Sequence, residues 1–313
     1  MATSGSTSFT VTANDIINAA LRALGVIAAG ETAAAEEVND AKQALNLLVK
    51  QWMGPGNIAT PSLKMWKRKH LTLKLTSTPN YTLKLRRLAF TSGGTYTIAV
   101  GDTITGATSG ATAVVMSVEV TSGSWADGDA AGELIINDQD GTFQSENLDV
   151  GSNSNVATIS GDSEQYGPPT DILDVVIRTA SGTDTPLDPM TVSEWMALGD
   201  KDASGTPQKY YYEKKADELR FYLDKTPSDT TYTIFMVVLL PIEDFDTIAD
   251  NPDFPREWYR ALKWNLAQEL LADYPSSENR QKIIAAMATQ SLAMANSFEP
   301  ENVVVYFQPD LDI

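Results

Sequence analysis

The sequence predicts an α+β protein: a helical core of N- and C-terminal helical hairpins with a small antiparallel sheet, plus an inserted all-β sandwich or barrel domain. Three observations carry this reading. Apolar residues recur at helical spacing near both ends of the 313-residue chain. Between the ends they alternate every second residue, as strands require. Residues 89–166 are rich in Gly, Ser, Thr and Asp, with turn signals at short intervals and no helical stretch, the texture of a small sandwich or barrel.

The elements follow in order. A helix is predicted over 12–24. Thr12 is placed to cap it, Asp15 completes a capping box, and Ile16, Ile17, Ala20, Leu21 and Leu24 fall on one face before Gly25. A second helix is predicted over 32–53, capped by Thr32, with a stripe of Val38, Ala41, Leu45, Leu48, Val49 and Trp52 and a stop at Gly54-Pro55-Gly56. Leu71, Leu73 and Leu75, then Tyr81, Leu83 and Leu85, alternate with polar residues around a turn at Thr76–Asn80, which reads as a β-hairpin with one basic face. In the 89–166 block, short strands are predicted at 95–100, 111–120, 132–137, 143–149 and 155–160. After Gly167-Pro168-Pro169 come a strand at Ile172–Thr179 and a meander of Tyr210–Glu213, Glu218–Leu223 and Thr231–Leu240. Two long helices close the pattern, Phe254–Ala272 and Ser277–Ser297, the latter carrying Ile283, Ile284, Met287, Leu292 and Met294. Each helix has an apolar stripe that must be buried, so the four are expected to pack together. The domain reading is therefore 1–88 with 167–302 as core, 89–166 as insert, and 303–313 as an extended arm.

Composition narrows the chemistry. With no Cys, there are no disulfides, Cys-ligated zinc, iron–sulfur clusters or thiol nucleophiles. His70 is the only His, so a multi-His metal site within one chain is excluded. No apolar run approaches the roughly 20 residues that span a bilayer, the longest being Ile234–Leu240. The N-terminus lacks a basic region followed by an apolar stretch, which points to a soluble protein made in a cytoplasm. The net charge of −18 argues against general DNA binding by counter-ion release.

Charge is also segregated. No acidic residue lies between Asn57 and Gly101, and no basic residue between Leu88 and Ile177. Residues Lys67, Arg68, Lys69, Lys74, Lys84, Arg86 and Arg87 form a basic strand face. With Trp66 beside it, that face could stack and pair with nucleic acid. The reading favoured is a face that meets an acidic partner in the same chain or a neighbour, at a subunit contact or along a channel.

No other constellation carries chemistry. His70 has no nucleophile elbow to serve, and Glu194, Asp244, Asp246, Glu257 and Glu269 are acidic residues near aromatics without a motif. Asp138-Gln139-Asp140-Gly141 lacks the remaining ligands of a calcium loop and reads as a tight turn, with weak calcium binding elsewhere in the acidic block left open. No phosphate-binding Gly-rich loop ends in Gly-Lys-Ser/Thr. No cofactor and no catalytic residue is expected. The run Val303, Val304, Val305, Tyr306 and Phe307 is costly to leave in water, and should close an edge of its own sheet or add a strand to another subunit.

Three stretches share a further pattern: Thr12–Gly25 with Leu47–Trp52; Gly205–Tyr212 with Leu219–Leu223 and Tyr232–Pro241; and Pro255–Tyr274. Together they resemble the head-to-tail adaptor family of short-tailed bacteriophages, also called packaged-DNA stabilisation proteins or tail accessory factors. The likeness covers about 9–87 and 167–313 and departs at 89–166, a block that short members lack. It implies a homo-oligomeric ring, commonly a dodecamer, in the virion neck beneath the portal protein and above a tail or nozzle protein. Such a ring, assembled in the bacterial host cytoplasm, extends the DNA channel and helps retain packaged DNA. The family's C-terminal arm climbs onto the portal, a role that would fall to Val303–Phe307. A net negative ring would let DNA pass without tight binding. Two other classes stay open: a virion-associated glycan- or wall-degrading hydrolase, and a tail or receptor-binding protein built on the β-insert.

Overall fold

The structure, a computed structural model, describes residues 5, 8–54 and 67–297. They fall into two compact units, Met1–Met65 with Ile242–Ile313, and Trp66–Pro241. Among the described residues the helices are α1 (Ala13–Leu24), α2 (Ala35–Trp52), α3 (Val192–Met196), α4 (Tyr259–Glu269) and α5 (Glu278–Asn296). All but α3 lie in the first unit.

The caps explain where these helices begin. Thr12 Oγ1 accepts from the Asp15 amide at 3.2 Å, while Asp15 Oδ2 accepts from the Thr12 amide at 2.9 Å. Gly25 ends α1 at φ 82°, a left-handed conformation that suits glycine. Helix α2 starts later than its sequence suggests. The capping position is Ala34, not Thr32, because the Glu37 carboxylate accepts from the Ala34 amide at 2.9 Å and does the work a capping hydroxyl would do. At the other end of the chain, Pro255 leads into a 3-10 turn, Arg256–Trp258, and α4 stops at Glu269 rather than Ala272.

Helix α4 buries Ala261, Leu262, Leu266 and Ala267 and packs on α1, α2 and α5. Arg280 Nη1 donates to the Leu24 carbonyl at 2.7 Å, so α5 supplies a cation to the negative end of α1. The buried stripe of α5 differs from the expected one. It is Ile284, Ala288, Ser291 and Ala295, mostly small residues that let the helix approach α4, whereas Ile283 and Met294 are 56% and 51% exposed.

The second unit is all strand apart from α3. Its strands are β1 (Arg68–Lys74), β2 (Asn80–Leu83), β3 (Arg86–Thr91), β4 (Thr103–Gly106), β5 (Thr112–Ser122), β6 (Ala131–Asp140), β7 (Ser145–Val150), β8 (Asn153–Ser160) and β9 (Glu164–Gln165). They continue with β10 (Asp171–Arg178), β11 (Asp184–Pro186), β12 (Asp188–Pro189), β13 (Ser204–Gly205), β14 (Lys209–Lys214), β15 (Leu219–Leu223), β16 (Thr226–Pro227) and β17 (Thr233–Leu239).

Two four-stranded sheets, ordered β1-β17-β10-β11 and β12-β14-β15-β2, share one core. Leu71, Leu73, Val175, Ile234 and Met236 from the first meet Leu83, Tyr210, Leu219 and Phe221 from the second. The predicted hairpin is corrected here. Strand β1 pairs with β17 and β2 pairs with β15, so Leu71–Leu75 and Tyr81–Leu85 lie in different sheets. The expected meander is broken in the same way, because β17 leaves the sheet of β14 and β15. The small single sheet of the prediction is thus two sheets, with a separate parallel pair β13–β16. Alternation in the sequence specifies which face is buried, and both arrangements bury the same leucines.

Strands β6-β5-β4-β7-β8-β3 close into a six-stranded barrel through the β3–β6 pairing, and β9 extends it on β3. Closure removes exposed edges. The interior holds Phe90, Ile98, Ile104, Leu134, Ile136, Phe143 and Leu148. The predicted strand 95–100 is not one; Ile98 is buried there from an irregular segment, and the strand forms at Thr103–Gly106. Strand β3 straddles residue 89, so the barrel takes one strand from before the block that signalled it. The uninterrupted run Leu134-Ile135-Ile136 reflects burial on both faces: Ile135 and Met116 point outward from the barrel into the core of the two sheets.

Asn137 joins these parts. It is 2% exposed; its Oδ1 accepts from the Lys84 amide at 2.7 Å, and its Nδ2 donates to the Thr82 carbonyl at 3.0 Å. Asn137→Ala leaves both backbone groups unpaired and is expected to lower stability by about 1–3 kcal/mol, read as an earlier urea midpoint. An unchanged midpoint would mean that water takes over both bonds. The ends of this unit also meet, since the Leu240 amide donates to the Lys67 carbonyl at 2.9 Å.

Candidate interaction surface

The basic residues singled out by the sequence sit on and around β1, β2 and β3, and most are engaged within the chain. Lys69 pairs with Glu119 of β5. Lys84 Nζ lies 3.3 Å from Glu218, which also accepts from Arg220 Nε at 2.8 Å. Arg87 Nε donates to Glu164 at 2.7 Å, and Arg86 reaches Asp162 at 3.5 Å as well as Ser163. Lys67 and Arg87 both lie over the Tyr166 ring, at 5.2 and 5.9 Å from its centre. Lys74 donates to the Gly101 carbonyl at 3.4 Å, and Arg68 is exposed. Period-two alternation puts these cations on strand surfaces, and the acidic 89–166 block supplies three of the four carboxylates that meet them. Exposed pairs of this kind contribute little stability each. Their effect is to hold the local charge near neutral in an otherwise acidic chain.

The hydrogen bond from Arg220, then that from Lys84, holds the Glu218 carboxyl below its usual range. Glu194 is lowered chiefly by the backbone hydrogen bond from Thr191, because it completes the cap of α3. Asp244 pairs with Lys50 at 2.5 Å, and Asp246, Glu257 and Glu269 are exposed. His70 is exposed and stacks on Phe235 at 5.3 Å. Among the described residues no group of three or more acidic or His side chains could hold a metal ion. No helix there is long and apolar enough to cross a membrane. Trp66 and the run Val303–Phe307 lie outside the described residues.

The sequence reading passed over two surfaces. Trp195 of α3 lies against Tyr211 and Tyr222, at 5.6 and 5.0 Å between ring centres, with Lys201 Nζ 4.9 Å from the indole. Tyr211 and Tyr222 are cross-strand neighbours, a pairing only the register reveals, although the Tyr210-Tyr211-Tyr212 run marks the place. Beside Trp195, Val192 and Met196 are 57% and 64% exposed. The second surface is the outward side of α5. Both consist of apolar side chains on exposed elements, suited to contact with another macromolecule rather than to turnover.

A family model described as SU10 adaptor protein matches residues 124–302. No curated protein matches the chain.

Proposed function

The chain belongs to the SU10 adaptor protein family, and from that premise we propose that it forms a ring below the portal, extends the DNA channel and helps retain packaged DNA. At the coarser level it is a structural adaptor of a phage virion, a component that associates with portal and tail. The match across residues 124–302, more than half of the chain, carries this reading.

In it, 1–88 and 167–302 form the adaptor core around the two terminal helical hairpins. The 89–166 block, whose part from residue 124 onward lies within the family match, sits on the outside of the ring, and 303–313 is an arm that reaches the portal through Val303, Val304, Val305, Tyr306 and Phe307. The ring is a dodecamer with a tail or nozzle protein below it. Packaged DNA passes without tight binding, because the lining carries the net negative charge of the chain. The exposed Arg68 and its neighbours Lys67, Lys69, Lys74, Lys84, Arg86 and Arg87 steer subunit contacts, their pairs exchanging with carboxylates of the next copy. The family is structural, and no reaction is assigned.

Electron micrographs of the protein mixed with portal test the ring directly. Deleting 303–313 is expected to abolish portal docking while the circular dichroism spectrum of the remaining chain stays folded. Portal affinity unchanged by the deletion would remove the arm from the proposal. Release of glycan fragments by the purified chain would favour the hydrolase instead.

A further inference from the structure

We propose that the outer edge of β1 takes up, as an added strand, the run Val303–Phe307 of another copy of this chain. The proposal rests on the adaptor reading for the neighbouring copy and for the portal that later competes for the run.

Strand β1 stands at the edge of its sheet. The Leu240 amide donates to the Lys67 carbonyl and the Leu75 amide to the Tyr232 carbonyl, so the odd-numbered residues of β1 bond to β17. The amides and carbonyls of Arg68, His70, Thr72 and Lys74 therefore point the other way, where the described residues offer them no backbone partner. Arg68, His70 and Lys74 are exposed and Thr72 is half-buried. The other outermost strands of the two four-stranded sheets are blunted. Strand β11 ends in Pro186, and β12 is two residues long and contains Pro189. Strand β2 turns its edge to Asn137, which bonds the Thr82 carbonyl and the Lys84 amide.

Charge selects the strand that fits this edge. Cations along an edge keep like edges apart, and β1 holds no acidic residue. Glu119 of β5 answers Lys69, and Lys74 Nζ donates to the Gly101 carbonyl, so the barrel borders the edge at those two points. Arg68 and Lys74, at the two ends of β1, meet no carboxylate among the described residues. The run Val303–Phe307 has ends of the opposite sign. Glu301 precedes it, Asp310 follows it, and no basic residue occurs after Lys282. With Val305 set opposite Leu71, in either strand direction, Glu301 and Asp310 come within two residues of Arg68 and Lys74. Three valines, a tyrosine and a phenylalanine suit a strand and are costly to leave in water. Added to β1, they bury alternate side chains beside Leu71 and Leu73 and gain the backbone bonds they need. Donor strand and acceptor edge are unlike surfaces, the kind of contact that joins copies head to tail. A run paired with β1 is not free for the portal, so docking has to displace it.

Amide hydrogen exchange in the full chain tests this, because an unpaired edge amide exchanges freely. Exchange at Arg68, His70, Thr72 and Lys74 is expected to slow about tenfold as protein concentration rises, with a parallel rise in mass by sedimentation. Deleting 303–313 should remove both effects. Thr72→Pro takes one donor from the edge and spares the bonds to β17, so it should also remove both, with the thermal midpoint kept. Should proline disturb the fold, Arg68→Glu with Lys74→Glu tests the same edge through its charge. Slow exchange at every concentration would put the chain's own run on the edge, and fast exchange at every concentration would leave the edge empty. Slow exchange that survives the deletion would mean another cover. Each of these three results overturns the proposal. Portal docking is read separately and should survive Thr72→Pro. If the full chain does not dock to portal at all, the adaptor reading falls, and the exchange data alone decide the fate of the β1 edge.

Discussion

Glu146→Ala is expected to lower the stability of the β-barrel by about 2–4 kcal/mol, with a clear drop in the urea midpoint. Glu146 is 7% exposed. Its carboxylate accepts from the Thr108 amide at 2.7 Å, the Ser109 amide at 2.8 Å, the Ser109 hydroxyl at 2.6 Å and the Gln144 amide at 3.1 Å. These bonds wrap the turn between β4 and β5 around one charge. Gly106 lies so close to that carboxylate and to Ser109 Oγ that a β-carbon would collide with both. Burial alone would push the Glu146 carboxyl up; the hydrogen bonds from Ser109, Thr108 and Gln144 outweigh it and hold the group below its ordinary 4.5. A carboxyl depressed on folding stabilises the native state above its unfolded pKa, and that stability is lost as pH falls through the folded value. The wild-type barrel should therefore weaken in acid below about pH 4.5, and Glu146→Gln should flatten that dependence. Parallel acid curves for the two proteins would show that the anion is not what organises the turn.

Phe221→Ala is the second large effect, about 3–5 kcal/mol. Phe221 is fully buried in β15, stacked on Tyr210 at 5.5 Å between ring centres and directly opposite Tyr81 and Tyr212 in the register. Its ring fills the layer between the two sheets, where Leu71, Ile234 and Met236 approach from the other side. Interiors this dense collapse only partly around a deleted ring. Phe221→Leu keeps most of the volume and should lose under about 1.5 kcal/mol. Equal losses for Ala and Leu would mean that shape, and not the cavity, governs the site.

The parts of this fold that could be read in advance were those fixed within a few residues. Thr12, Asp15 and Gly25 define α1 without help from anywhere else in the chain, and their geometry is local. The barrel was visible as a block because Asp-Gly and Ser-Gly turns are local as well. Pairing was not. Leu71 and Leu83 each announce a buried face, yet their partners Met236 and Leu219 lie well over a hundred residues away, and nothing in an alternating pattern names a partner. The basic face is legible in the sequence, but the carboxylates that meet it, Glu119, Asp162, Glu164 and Glu218, are matched to their cations only in three dimensions. In α5, periodicity gathered the large apolar residues into one stripe, whereas close packing chose the small ones and left Ile283 and Met294 outside.

The junctions of the two units have a consequence for how such a chain could be remade. Lys67 and Leu240 are hydrogen-bonded at the margins of the strand-rich unit. That unit therefore begins and ends at one place, and it has the anatomy of a cassette that can be cut out, transplanted or exchanged.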